Sequence, residues 1–331
     1  MMKTKDQILK ILSERQDSIV SGEALAESIG VSRTAIWKAI KGLQENGFEI
    51  QTVAQKGYIL NDGNRLNPQL IYSYLDNQEI QVETFDELKS TNQLAKERAS
   101  QQGNNEPLLI VANGQTGGYG RFGRDFESPE DTGIYMSYLL RIDQPIKDVG
   151  QLTTATAMAV SYALENKLTI QPQIKWVNDI YYQNKKICGI LTEAVTDIET
   201  QQVTSLVIGI GLDFKTDITK LSTHLRDKVG SLVTESGDVT RNELIAEITN
   251  QFMTIYQDYQ SGGFMDDYRK RSLVIGKTVT LKSGHQEITG VVETISDSGQ
   301  LVFRNDDGQV TKYMAGEIIK VNVDGMTHGQ E

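Results

Sequence analysis

No helix or strand can run unbroken through Gly114-Gln-Thr-Gly-Gly-Tyr-Gly-Arg-Phe-Gly-Arg124, which puts five glycines and two arginines in eleven residues with no acid among them. Glycine permits positive φ and lets backbone amides come close to a ligand. Arg121 and Arg124 add forked donors that stay charged and suit phosphate or carboxylate. The run therefore reads as a loop that wraps an anion, although a surface turn uses the same composition.

At 331 residues the chain is too long for one typical domain and fits two or three. No apolar run approaches the roughly 18 residues that span a bilayer. The opening MMKTKDQILKILSERQ spaces its leucines and isoleucines for an amphipathic helix and breaks them with charges, unlike a signal peptide. A cytoplasmic protein is expected. The single cysteine, Cys188, excludes an internal disulfide. With only His224, His285 and His328 beside it, no Cys/His cluster for zinc is expected and no protein metal site is assigned. Net charge is −11, yet residues 1–66 hold nine Lys/Arg and eight Asp/Glu, so the N-terminal part is the place to seek a basic surface.

There, Ser21–Gly30 reads as a helix closed by glycine, and Ser32 caps a second helix, Arg33–Leu43. Ile36, Ile40 and Leu43 face a core, which leaves Arg33, Thr34, Trp37, Lys38 and Lys41 on another side. The stretch Gly47–Leu60 alternates and turns at Gln55-Lys56-Gly57, as a hairpin does. Helix, turn, helix and hairpin together predict a winged helix-turn-helix over residues 1–63. Its second helix would enter a DNA major groove with Ser32, Arg33, Thr34, Trp37, Lys38 and Lys41, and Lys56 would touch DNA from the wing. A small helical domain for protein contacts is the alternative. One module with a few phosphate contacts binds weakly, so a homodimer on an inverted-repeat operator is expected.

After a polar hinge at Asn61-Asp-Gly-Asn64, residues 67–273 alternate strand-like and helix-like patterns. Strands are expected at 108–112, 134–140, 174–177, 186–195 and 205–214, and helices at 91–101, 151–166 and 241–259. Close spacing and the lack of a dinucleotide fingerprint favour a mixed, largely antiparallel sheet. Ile174-Lys-Trp-Val-Asn-Asp-Ile180 reads as an apolar strand carrying Lys175, which is costly to bury without an anion. The alternative is an edge-strand lysine with its stem along the sheet.

The ordered set Ser90-Thr91-Asn92, Gln115, Gly118–Arg124, Lys175-Trp-Val-Asn-Asp179, Lys186–Glu193 and Gly209-Ile-Gly211 resembles the bifunctional biotin–protein ligases that also repress biotin genes. The resemblance runs through nearly the whole chain. It implies that the central domain is a class II synthetase-like ligase domain, which joins biotin to ATP as biotinyl-adenylate and passes biotin to a lysine of a carboxylase's biotin carboxyl carrier domain. It also implies repression by the adenylate-bound dimer. Arg121, Arg124 and Lys175 would face the charge that builds on phosphate. Ser90, Thr91, Asn92, Gln115, Tyr119, Gly120, Arg121 and Lys175 would hold biotin, and Gly118, Phe126, Asn178 and Asp213 the adenylate or ATP. Mg²⁺ would accompany ATP. The chain departs from the family pattern at Tyr119, where arginine is usual, at Phe126 for tryptophan, at Val177 for proline, and at Asp213 for asparagine.

From residue 274 to 323, short strands separated by Lys-Ser-Gly, Ser-Asp-Ser-Gly and Asn-Asp-Asp-Gly turns predict a small SH3-like barrel, followed by a frayed tail at Gly325–Glu331. A lipoate–protein ligase and a ligand-sensing repressor without catalysis are the competing readings. The expected whole is an α+β multidomain ligase.

Overall fold

The computed structural model describes residues 3–15, 18–45, 48–61, 65–100, 106–142, 149–197, 202–237, 239–323 and 326–329. Most of the expected hinge, at 62–64, lies outside the described residues.

Three helices open the chain: α1 (Thr4–Glu14), α2 (Gly22–Ile29) and α3 (Arg33–Glu45). Ser21 caps α2 by accepting the Ala24 amide at 3.0 Å, and Gly30 ends it at φ 76°. Ser32 caps α3 through the Ala35 amide at 3.2 Å. Strands β1 (Ile50–Val53) and β2 (Gly57–Leu60) pair antiparallel as the wing, around a turn with Gln55 at φ 61°. Ile36, Ile40 and Leu43 of α3 join Ile8, Leu9, Leu12 and Leu25 in a closed core, so α3 presents its basic side outward.

A helix that the sequence reading missed follows: α4 (Pro68–Tyr74), capped by Asn67 through the Gln69 amide at 2.9 Å. Leu70 packs in the N-terminal core, while Ile71 and Tyr74 pack in the central one.

The central domain runs β3 (Gln81–Leu88), α5 (Thr91–Ala99), β4 (Leu108–Gln115), β5 (Ile134–Arg141), α6 (Val149–Leu168), β6 (Gln173–Lys175), β7 (Asp179–Tyr182), β8 (Lys185–Thr196) and β9 (Val203–Leu212). Helices α7 (Thr223–Arg226), α8 (Arg241–Tyr256) and α9 (Met265–Lys270) complete it. The seven strands order β3-β4-β5-β9-β8-β7-β6, and only β3 with β4 is parallel. One expected strand is corrected. Residues 174–180 break into β6, a tight turn at Trp176–Asn178 and β7, with a cis peptide between Trp176 and Val177. The turn sends Trp176 into the core, where its indole donates to the Gly299 carbonyl at 2.9 Å. Strand alternation then sorts the faces: Leu109, Val111, Met136 and Tyr138 share one core with residues of α6 and α8, while Leu108, Ile110 and Leu139 pack with Ala95 of α5.

Strands β10 (Thr278–Ser283), β11 (Gln286–Ile295), β12 (Leu301–Asn305), β13 (Val310–Tyr313), β14 (Glu317–Val323) and β15 (Met326–Gly329) form a second sheet in the order β13-β12-β11-β10-β14-β15. Its neighbours are antiparallel, and no pairing closes β13 onto β15 among the described residues. The tail expected to fray pairs instead along β14, from Met326 to Gly329. Val279, Leu281, Leu301, Phe303 and Ile318 join the central core without a break. No described helix is long and apolar enough to cross a membrane.

Asn242, fully buried at the start of α8, accepts the Asn67 amide at 3.0 Å and donates to the Arg65 carbonyl at 2.8 Å, which ties down the segment entering α4. Asn242→Ala removes both bonds and is expected to lower stability by about 1–3 kcal/mol. Urea unfolding of the whole chain measures this, and an unchanged midpoint would show that the segment is held by other means.

Candidate functional site

Three glycines make the floor of a cleft of about 690 Å³ on the central sheet. Gly209 and Gly211 lie two apart on β9, hence on one face, and Gly189 on β8 stands opposite Gly211. A Cβ at Gly209 would lie 2.2 Å from Asn92 Oδ1, and one at Gly211 2.5 Å from the Phe126 ring. The Gly-Ile-Gly run thus lets a polar side chain and an aromatic ring lie against the sheet.

At one end of the floor, Ser90 caps α5 through the Gln93 amide. Gln115, at the end of β4, accepts the Thr91 amide at 2.8 Å and donates to Ser128 Oγ at 2.9 Å. Ser137 Oγ lies 2.6 Å from Asn92 Oδ1 and 2.7 Å from Thr91 Oγ1. Ser90, Thr91 and Asn92 are buried, and their partners fix their rotamers before any ligand enters.

The glycine loop is a tight hairpin. The Phe126 amide bonds to the Gly118 carbonyl at 2.9 Å and the Gly120 amide to the Arg124 carbonyl at 2.8 Å, around a tip where Phe122 takes φ 60°. A Cβ at Gly118 would meet the Phe126 carbonyl at 2.6 Å and Gln115 Nε2 at 2.9 Å. Gly118 therefore permits close packing behind the loop and does not border the cleft, whereas Tyr119, Gly120, Arg121, Arg124 and Phe126 do.

Six Lys and Arg residues border the cleft, and four of them, Arg121, Arg124, Lys175 and Lys186, come from the glycine loop and the β6–β8 strands. Arg121 donates to Asn178 Oδ1 at 3.0 Å and to the Gly316 carbonyl at 2.9 Å. Arg124 forks onto Glu317, with Nη2 2.6 Å from Oε2. Lys186 pairs with Asp179 at 2.7 Å. Lys175 has no ion pair among the described residues; its ammonium lies 6.0 Å from the Tyr181 ring centre. Burial pushes the Lys175 pKa down, and Lys186 and Arg124 push it further, against the pull of Asp179 and Glu317.

On the N-terminal module, Ser32, Arg33, Thr34, Trp37, Lys38, Lys41 and Lys56 are all exposed. Lys41 sits 5.7 Å from the Trp37 ring centre, and Arg33 pairs with Glu23 at 2.6 Å. Both contacts lie at the surface and yield readily to a phosphate backbone.

Residues 84–213 match the Biotin/lipoate A/B protein ligase family, residues 4–59 an HTH domain, and residues 274–321 the Biotin protein ligase C terminal domain. The bifunctional ligase/repressor BirA of Bacillus subtilis (strain 168) is 32% identical over 320 residues, spanning 94% of this chain and 97% of that protein. The chain belongs to the biotin protein ligase family. The BirA of Escherichia coli (strain K12) is 29% identical over 304 residues, covering 90% of this chain and 92% of its own. The structure of biotin protein ligase from Aquifex aeolicus in complex with biotin and ATP superposes with a TM-score of 0.62 at 26% identity, covering 72% of this chain and 97% of that one.

Beyond the residues foreseen from sequence, this ligase brings Asp179, Lys186, Glu317 and the wall Leu221, His224, Leu225 and Val229 to the cleft. Lys186 was legible as a charge beside a strand, but its pairing with Asp179 depends on the β7–β8 hairpin. Glu127 joins that wall to the loop, accepting the Ser222 amide at 2.9 Å and the Ser222 hydroxyl. Asn178 is spent internally, donating to the Ile190 carbonyl while it accepts Arg121.

Asp213, where the family pattern has asparagine, borders the cleft yet is 5% exposed. Burial raises its pKa from 3.8 to about 7, with Thr216 and Lys186 opposing. The folded ligase therefore keeps a proton that the unfolded chain releases. The stability this group contributes is complete below the unfolded value and is lost as pH rises through the folded one. Asp213→Asn should remove that slope, making the variant the more stable of the two at about pH 8 but not at about pH 4. Parallel urea midpoints across this range would show that Asp213 titrates normally.

Proposed function

We propose that this ligase forms biotinyl-adenylate from biotin and ATP and transfers biotin to a lysine of a biotin carboxyl carrier domain. The observation that carries the reading is Lys175, half-buried and free of an ion pair among the described residues, beside the cations Arg124 and Lys186 and the acids Asp179 and Glu317. Such a cluster is relieved by an anion of high charge density, and a polyphosphate supplies one.

Biotin lies with its ring system toward Ser90, Thr91, Asn92 and Gln115 and its carboxylate toward Lys175 and Arg121. The carboxylate oxygen attacks the α-phosphorus of ATP, the bond to the β-phosphate oxygen breaks, and pyrophosphate leaves. No side-chain nucleophile is required, so rate comes from positioning and from Arg121, Arg124 and Lys175 facing the charge on the transferring phosphate. Mg²⁺ would enter with ATP and neutralise part of its charge. Phe126 covers the adenylate on the Gly211 side, and the loop keeps water from the anhydride. In the second step an acceptor lysine amine attacks the acyl carbon, and AMP leaves. When acceptor is scarce the adenylate-bound chain pairs with a second copy, and two α3 helices bind an inverted repeat. The B. subtilis and E. coli proteins carry both roles in their names, and the A. aeolicus structure holds biotin and ATP on this fold.

Lys175→Ala and Arg121→Gly are expected to slow biotin-dependent pyrophosphate release by about 10²–10³-fold without shifting the unfolding midpoint downward. Retention of adenylate at native levels in both would sink the assignment. A repressor without catalysis, which the Tyr119 and Asp213 departures keep in play, would bind biotin yet release no pyrophosphate and label no acceptor. For DNA, Arg33→Ala or Lys38→Ala should weaken binding to an inverted-repeat duplex and flatten its salt dependence by about one phosphate contact. Fluorescence anisotropy over a salt series reads this. Equal loss of ligase rate in those variants would contradict separate DNA and ligase surfaces.

A further inference from the structure

One carboxylate behind the cleft gathers three elements. Glu193, on β8, accepts Lys96 Nζ from α5 at 2.8 Å on Oε1. On Oε2 it accepts Asn92 Nδ2 at 2.8 Å and the Tyr119 hydroxyl at 2.9 Å. The Lys96 ammonium also lies 5.3 Å from the Tyr119 ring centre. Lys96 and Glu193 do not border the cleft, whereas Asn92 and Tyr119 do. The cluster therefore ties the glycine loop to the helix that starts the polar end of the site.

Every charge in it is answered. Burial raises the Glu193 pKa, but its bonds to Lys96, Asn92 and Tyr119 outweigh that and hold it below the ordinary carboxylate range. Lys96 stays charged beside it. A loop with glycines at 117, 118, 120 and 123 has many alternative conformations, and ordering them opposes ligand binding. Within residues 117–124, the Tyr119 hydroxyl supplies the side-chain bond to this end of the sheet, beyond Gln115, which holds Thr91 where the run begins.

We propose that Tyr119 and Lys96 are positioning residues that hold the glycine loop on the cleft before biotin arrives, with Lys96 supplying from α5 the positive charge that the loop lacks at residue 119. Biotin then binds a loop already in place, and the two residues act on affinity rather than on the chemical step. The inference rests on the biotin reading above for its ligand, and on the geometry for the anchor itself.

The test uses the full chain, with Tyr119→Phe to remove only the hydroxyl and Lys96→Met to remove the charge while keeping the stem. In the ligand-free protein, amide hydrogen exchange over residues 117–124 should speed up in both. Biotin affinity should fall by about tenfold in each, the scale of one lost hydrogen bond to a charged partner. In Lys96→Met the loss should fall on KM for biotin rather than on kcat. Adding Tyr119→Arg to Lys96→Met returns the charge to the loop opposite Glu193 and should restore affinity to within about threefold of native. Native exchange and native affinity in both single variants would overturn the proposal, as would a double variant that binds no better than Lys96→Met. Loop exchange reads the anchor without ligand, and pyrophosphate release by the native protein reads the biotin assignment, so the two can fail separately.

Discussion

Repulsion among Arg121, Arg124, Lys175 and Lys186 is the constraint around which the central domain is arranged. Burial lowers the proton affinity of Arg121 and Lys175, and neighbouring cations lower it further, Arg124 for Arg121 and Lys186 with Arg124 for Lys175. The fold meets this with carboxylates drawn from different places: Asp179 from the adjoining hairpin and Glu317 from the C-terminal sheet. It leaves Lys175 and Arg121 without an ion pair among the described residues, and Arg121 donates instead to Asn178 and the Gly316 carbonyl. A cleft balanced in this way is stable when empty, and it still gains when a polyphosphate replaces the weaker contacts.

That arrangement explains why the C-terminal sheet shares the central core rather than hanging from it. Trp176 donates to Gly299, Gln151 to the Asp297 carbonyl, and Arg269 to the Ile295 carbonyl. These bonds hold the end of β11 and the turn after it against the central domain, and at the start of β14 Gly316 and Glu317 meet the two loop arginines. The hydrophobic contact places the carboxylate, and the carboxylate sets where the loop stands. The glycine floor belongs to the same logic, because Phe126 can close down only where Gly211 has no side chain.

Much of this was legible in the sequence where the physics is local. Ser21, Gly30 and Ser32 mark their helix ends by capping chemistry that needs no tertiary context, and the apolar runs of β4, β5, β8 and β9 read as buried strands. The parts that escaped depend on register or on distance. Helix α4 is short, and its neighbours Leu70 and Ile71 bury in different cores, so no single apolar face is visible. Strand β3, with glutamates at 83 and 87 and an aspartate at 86, lacks the apolar alternation that betrays a strand. The turn at Trp176–Asn178 hides inside what looks like one continuous strand. Glu193 is legible only as the end of the Lys186–Glu193 motif, since its partners come from α5 and the glycine loop, and Glu317 lies 193 residues from the arginine it holds.

Helix α4 has a further consequence. Because adjacent residues of one short helix are buried in two different cores, the winged module is joined to the catalytic domain by side-chain packing as well as by the chain. Any pairing of two chains through their ligase domains therefore fixes the separation and tilt of the two α3 helices, in the manner of a caliper. The spacing of half-sites that such a pair can read is then set on the catalytic side of the molecule, far from any residue that touches DNA.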